Sequence, residues 1–243
     1  MTRTLLLRGM LVGVVAGLLV FAFARWIGEP QVERAIAFET AADQARGEAP
    51  EPEMVSRRVQ RSAGLVTGTV VFGAAVGGLF GLVFAFAYGR IGELGPRALA
   101  AVLGVLGYVA VVLVPNLKYP ANPPAVGSPD TIGARTGAYF LLIAVSIAAM
   151  VLALQLRRRF AKRFGEWNGS LLAAALFVVV VGLVSHFLPE VDEVPAGFPV
   201  TLMWKFRVAA VEIQAVLWGT LGLGFGWLTE RDLGLRRGLT PSL

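Results

Sequence analysis

The chain has no cysteine and a single histidine, His186. Without thiols there is no disulfide framework, no thiolate metal cluster and no cysteine nucleophile, and one imidazole leaves a triad-type hydrolase without parts. Phosphate chemistry is equally unsupplied: no GxxxxGK[ST] loop, no G-x-G-x-x-G turn between strand and helix and no HExxH helix occurs. An ATP-driven pump built from this chain alone is excluded, and the chain reads as a non-enzyme with no bound cofactor. Charge is scarce as well. Only 16% of the 243 residues are Asp, Glu, Lys or Arg, against 56% hydrophobic, and the mean hydropathy of +0.69 is far from that of a soluble domain. The formal net charge is +6, but aromatic and basic residues do not interleave as a nucleic-acid surface requires. Nucleic acid is therefore set aside, and the lipid bilayer is the expected surrounding.

What the chain does have is long apolar runs. A helix needs about 20 apolar residues to cross a bilayer, and six runs near that length occur, at 5–27, 64–88, 98–114, 137–156, 170–188 and 208–228, with Arg8, Arg25 and Glu212 their only formal charges. The fold class expected is all-α: one polytopic helix bundle over 1–243. The third run is the shortest. The first is too long for a secretory signal core and is read as an uncleaved span. Arg3, the turn 88–97, "RRRFAKRFGEWNG" and the tail from Thr229 place the denser Lys and Arg on one side. The positive-inside rule makes that side cytoplasmic, with both termini there. Three longer loops, 28–63, 115–136 and 189–207, then face outward. Within the first, 31–46 reads as a surface-lying amphipathic helix, followed by a Pro- and Glu-rich connector.

Packing signals are explicit. Gly9, Gly13 and Gly17 in the first span, and Gly73, Gly77 and Gly81 in the second, recur every four residues, with Gly64 and Gly68 ahead of them. Such spacing lines one helix face and admits a second backbone closely, whether of the neighbouring span or of another subunit. Gly222 and Gly226 mark a weaker ridge on the last span.

Polar residues at membrane depth are the candidates for function. Glu212, in "RVAAVEIQAVLW", is an ionisable group inside a span; it must face a cavity, take a proton, or pair with a cation such as Arg207 or Arg135. His186 opens "HFLPEVDEVP", so imidazole and the carboxylates of Glu190 and Asp192 lie close in sequence. That donor set suits divalent first-row metals; the plain alternative is an interfacial imidazole beside a solvated acidic loop. The segment "VPNLKYPANPPAVGSPDTIGARTGAY" holds five of the 13 prolines and cannot run as a regular helix throughout. Asn116 and Asn122 can bond freed carbonyls or offer oxygens to an ion, Asp130 reads as an N-cap, and Lys118 and Arg135 border the spans as anchors. A rigid outer vestibule and a constrained connector both fit this segment.

The N-terminal "LLLRGMLVGVVAGLLVFAFARWIGEPQVERAIAFE", the central "VPNLKYPANPPAVGSPDTIGARTGAYF" and the late "FLPEVDEVPAGFPVTLMWKFRVA" resemble the CbtA family of probable cobalt transporter subunits across nearly the whole chain. The resemblance implies a multi-pass protein of the bacterial inner membrane, with cobalt(II) as substrate and cobalamin synthesis as its destination. It also implies a small one-span companion, CbtB, with a His-rich motif, and about five spans where six runs are counted. It carries no ligand positions over to this chain. The reading from a different class is a structural or assembly membrane protein, a homo-oligomer included, that docks through its glycine faces and transports nothing.

Overall fold

The computed structural model describes residues 2–47 and 54–238, with side chains as far as Leu233; the Pro- and Glu-rich connector at 48–53 lies outside the described residues. Six helices are long and apolar enough to cross a membrane: α1 Thr2–Arg46, α2 Arg57–Ala87, α3 Pro96–Lys118, α4 Pro129–Phe164, α5 Glu166–Phe187 and α6 Val200–Leu233. Each holds one of the six apolar runs, with only Tyr88 and Leu188 falling one residue past a helix end, and among the described residues no strand occurs. The all-α polytopic reading with six spans holds.

Helix boundaries differ from the sequence reading at two prolines. The segment from 31 to 46 is helical, but it is no separate surface helix: it continues α1 through a π turn at Ala24–Gly28, and α2 already begins at Arg57. The expected loop 28–63 is thus helical at both ends. Likewise α3 does not stop at Val114; a π turn at Tyr108–Leu113 carries it through Pro115 to Lys118. A proline inside a helix removes one N–H and pushes its ring at the preceding turn. A widened turn just upstream absorbs that clash, so both helices pass their prolines.

The π turn in α1 also sets the phase of the helix. Its buried residues advance by three or four from Leu5 through Gly9, Val12, Ala16 and Val20 to Ala24, and then by five to Glu29. The extra residue keeps Glu29 on the buried stripe, where its carboxylate meets the Arg57 guanidinium at 2.5 Å.

The chain packs as two compact units, Met1–Val105 with Trp204–Leu243, and Leu106–Met203. In the first, α1 and α2 run antiparallel with backbone against backbone. A Cβ on Gly9, Gly13, Gly17, Gly73, Gly77 or Gly81 would stand 2.1 to 2.5 Å from an oxygen of the facing main chain. The glycine faces therefore serve each other within one chain. Gly68, by contrast, has nothing within 4 Å of such a Cβ. Across α3 and α6 of the same unit, a Cβ on Gly104 would reach the Gly222 Cα at 3.1 Å, and one on Gly226 the Arg97 Cα at 3.1 Å, so the weaker ridge is used as well. Phe80, Phe84 and Phe225 close the core edge to face, at centroid distances of 5.0 and 5.4 Å to Phe225. Arg8, the charge inside the first apolar run, is answered by Asp232 at 3.0 Å.

In the second unit α4 and α5 pack antiparallel through Leu142, Ala149, Ala153, Ala173 and Phe177, joined by Val114 from the end of α3. Gly169 lies so close to the end of α4 that a Cβ would stand 2.4 Å from the Ala161 nitrogen.

Gly13→Leu or Gly77→Leu must push two backbones apart, a cost at or above the ~3 kcal/mol upper range of overpacking in a well-packed interior. Gly68→Ala meets no neighbour and keeps full stability. Thermal unfolding of the detergent-solubilised variants measures both outcomes.

Candidate functional site

The Pro-rich segment and the acidic loop after α5 come together within the second unit. The geometry starts at Pro115, which is fully buried and leaves α3 one donor short. Next to it Asn116 Nδ2 donates to the Val112 carbonyl at 2.9 Å, so this amide completes the helix end. Tyr119 follows, its hydroxyl donating to the Pro189 carbonyl at 2.8 Å. That bond ties the two loops together at their bases, and burial raises the phenol above its ordinary value of 10.0.

The second tie is a carboxylate clamp. Glu193 Oε2 accepts the Ser128 N–H at 2.8 Å and faces Arg135 Nη1 at 3.3 Å, while Oε1 accepts the Thr131 hydroxyl. Arg135 also donates through Nη2 to the Ser128 carbonyl at 3.3 Å. One glutamate of the second loop thereby gathers the backbone, hydroxyl and guanidinium at the end of the first. Both partners of the ion pair are mostly covered, with side chains 15% and 22% exposed. The Thr131 hydrogen bond, the Ser128 N–H and the Arg135 charge together outweigh desolvation and lower the Glu193 carboxyl below its ordinary 4.5.

Local backbone choices make room for the clamp. Gly127 has φ +120°, and a Cβ there would lie 2.7 Å from Arg135 Nη1; only glycine supplies both the conformation and the space. Ser128 caps the short 3₁₀ turn Pro129–Thr131, its Oγ accepting the Asp130 N–H at 3.3 Å. The N-cap expected of Asp130 belongs to Ser128, because Pro129, which has no N–H to satisfy, takes the first position of the turn.

Of the residues singled out in sequence, Arg135 sits at the centre of the clamp and Asn116 completes α3. Lys118 and Asn122 are half-buried, and Asp130 is exposed. His186, Glu190 and Asp192 are all exposed. Among the described residues no three His, Asp or Glu side chains converge on a metal-sized site, so these three are neighbours in sequence without forming a preformed ligand set. Glu193, Thr131, Ser128 and Tyr119 are the residues sequence reasoning missed. The available signal was an arginine closing one Pro-rich loop and an acidic run in the other, with nothing to choose among its three acids.

Glu212 lies in the first unit. It is exposed on α6, twelve residues past the helix start at Val200, and so deeper in that helix than a span beginning at Val208 suggested. Arg135, one cation considered for it, is committed to Glu193. Glu29, buried against Arg57, is a second carboxylate whose burial sequence periodicity did not reveal.

A family model described as a probable cobalt transporter subunit (CbtA) matches residues 2–230. No curated protein and no solved structure matches the chain.

The lowered Glu193 carboxyl gives a pH dependence of defined sign. The folded loop holds its proton less readily than the unfolded chain, so the stabilisation is full above the ordinary 4.5 and disappears as the pH falls through the lower folded value. A spin label on Val126→Cys, placed in this cysteine-free chain, should stay immobile from neutral pH down to that ordinary value and gain mobility below it. Adding Glu193→Gln should mobilise the same label at neutral pH.

Proposed function

The chain belongs to the CbtA family, and on that premise we propose that it is the multi-pass subunit of an inner-membrane system taking up divalent cobalt for cobalamin synthesis. The observation that carries this reading is the family match over residues 2–230 on a chain with six helices of membrane length. In this reading both termini are cytoplasmic and the clamped Pro-rich loop is a rigid outer mouth. Rigidity there has a use: loops held by Tyr119 and Glu193 keep an opening without paying ordering entropy each time an ion arrives.

His186, Glu190 and Asp192 then act as dispersed outer donors, and Glu212 as the intramembrane one. Imidazole and carboxylate together suit a borderline divalent cation. Their dispersal suits passage, because an ion must leave each donor as readily as it arrives. A small single-span companion of the CbtB kind would work beside this chain.

Cellular cobalt accumulation tests the reading. Expression of the chain with its companion should raise accumulation several-fold over a control lacking both, and Glu212→Gln should remove most of the rise, with His186→Ala giving a smaller loss. No rise with the unaltered pair rejects transport. The competing reading, an assembly protein that transports nothing, requires Glu212→Gln to be silent; Gly77→Leu does not separate the two, because its seam with α1 lies within the chain.

Orientation has its own test. Asp130→Cys, in the exposed part of the Pro-rich loop, should react with a membrane-impermeant maleimide added to intact spheroplasts. Reaction only after the membrane is opened reverses the proposed topology.

A further inference from the structure

The end of α4 carries five cations in seven residues, the run "RRRFAKR" from Arg157 to Arg163. It lies wholly within the second unit, which mounts it rigidly. Arg157 turns back onto the start of α5, Nε donating to Ser170 Oγ at 2.9 Å and Nη2 meeting Glu166 Oε2 at 2.7 Å. Phe160 packs on the core between α4 and α5, and Ala161 is the residue whose backbone Gly169 admits so closely. Positions 157, 160 and 161 share one helix face. Arg159, Lys162 and Arg163 stand on the other, all exposed, with Phe164 and Trp167 beside them at 45% and 75% exposure. The Arg163 guanidinium lies over the Phe164 ring, 5.2 Å from its centroid.

Helix geometry sets the depth of these cations. The apolar run ends at Leu156, and Arg159, Lys162 and Arg163 follow it by ~4 to ~10 Å along the axis. The headgroup region on each side of the hydrocarbon is ~5 to ~7 Å thick. Side chains of a helix tilt toward its N-terminus, which for the end of α4 means toward the bilayer. The long basic stems therefore lean back into the layer of lipid phosphates.

The protein's own carboxylates do not answer this charge. In the second unit Glu166 is taken by Arg157, and Asp130, Glu190, Asp192 and Glu193 belong to the loops at the opposite end of the α4–α5 hairpin. By span order the first unit brings Glu93, Glu230 and Asp232 to this side, and Arg97 holds Glu230 while Arg8 holds Asp232. Glu93 is then one acid against three cations wherever that unit stands, and the tail after Leu233 adds Arg236 and Arg237 and no acid. The positive-inside rule accounts for a basic sequence on this side, but it asks for no rigid mounting, no common face and no aromatic flank.

We infer that this basic face is a docking site for the anionic headgroups of phospholipids in the adjoining leaflet. Charge complementarity and depth choose the occupant. Guanidinium forks pair with phosphate oxygens in two-point contacts, and Phe164 and Trp167 suit the boundary between headgroups and hydrocarbon. An acidic protein segment would meet the same charge but has no use for aromatic side chains at that level. The inference stands apart from the cobalt reading.

The test is native mass spectrometry of the full chain in a neutral detergent, with phosphatidylglycerol or phosphatidylcholine added. The unaltered chain should hold phosphatidylglycerol at least ten-fold more tightly than phosphatidylcholine. Arg159→Gln, Lys162→Gln and Arg163→Gln together should abolish that preference. Arg25→Gln, Arg34→Gln and Arg58→Gln, an equal loss of charge at exposed positions of α1 and α2, should keep it. Because all six positions are exposed, both triple variants should melt with the unaltered chain. In the native membrane, a photoreactive amino acid at Phe164 should crosslink to lipid. Equal retention of the two lipids, a preference that survives the first triple variant or is lost in the second, or a protein adduct from position 164 each overturns the inference.

Discussion

Inside hydrocarbon no water is at hand to satisfy a backbone N–H or C=O, so each must find its partner within the protein. The helix ends and the prolines of this chain answer to that demand. Pro30 and Pro115 would each break a helix, and at each a π turn a few residues upstream carries the helix on. Where α3 finally ends, the Asn116 amide donates to a carbonyl of the last turns. Beyond it the Pro-rich segment leaves helix altogether and draws its order from Tyr119, Ser128 and Arg135 bonding to the other loop.

The same surroundings explain why glycine is used so heavily. Burial from water cannot pull two helices together when lipid is as apolar as they are, so adhesion comes from close contact over a long seam. Gly9, Gly13 and Gly17 against Gly73, Gly77 and Gly81 give α1 and α2 that seam. Charges are then spent sparingly and in pairs: Arg8 with Asp232, Glu29 with Arg57, Arg135 with Glu193. Against that economy the exposure of Glu212 stands out.

Much of the fold was legible because membrane length and apolarity are one-dimensional properties. All six helices follow from the runs, and the four-residue spacing of glycine announced a packing face. The partner of that face was open, since spacing describes one helix and the seam belongs to two. The reach of α1 and α3 was not legible: a proline reads as a stop when a helix is taken to have one pitch. Glu29 was hidden for the same reason, as it falls on the buried stripe only after a five-residue step. At the loops, Arg135 could be marked as a cation beside a span. Its partner could not, because Glu193 bonds to residues 62 and 65 positions away and differs from Glu190 and Asp192 only in where the fold puts it.

The length of α1 has a mechanical consequence. Its 45 residues make a rod of ~67 Å, more than twice the ~30 Å of the hydrocarbon layer. The seam with α2 grips the apolar part of the rod, and the pairs of Glu29 with Arg57 and Glu33 with Arg61 carry the grip past it. From Glu33 to Arg46 a further ~20 Å of helix follows. The helix is thus a strut: the position its apolar part takes in the bilayer also fixes where its polar end is held.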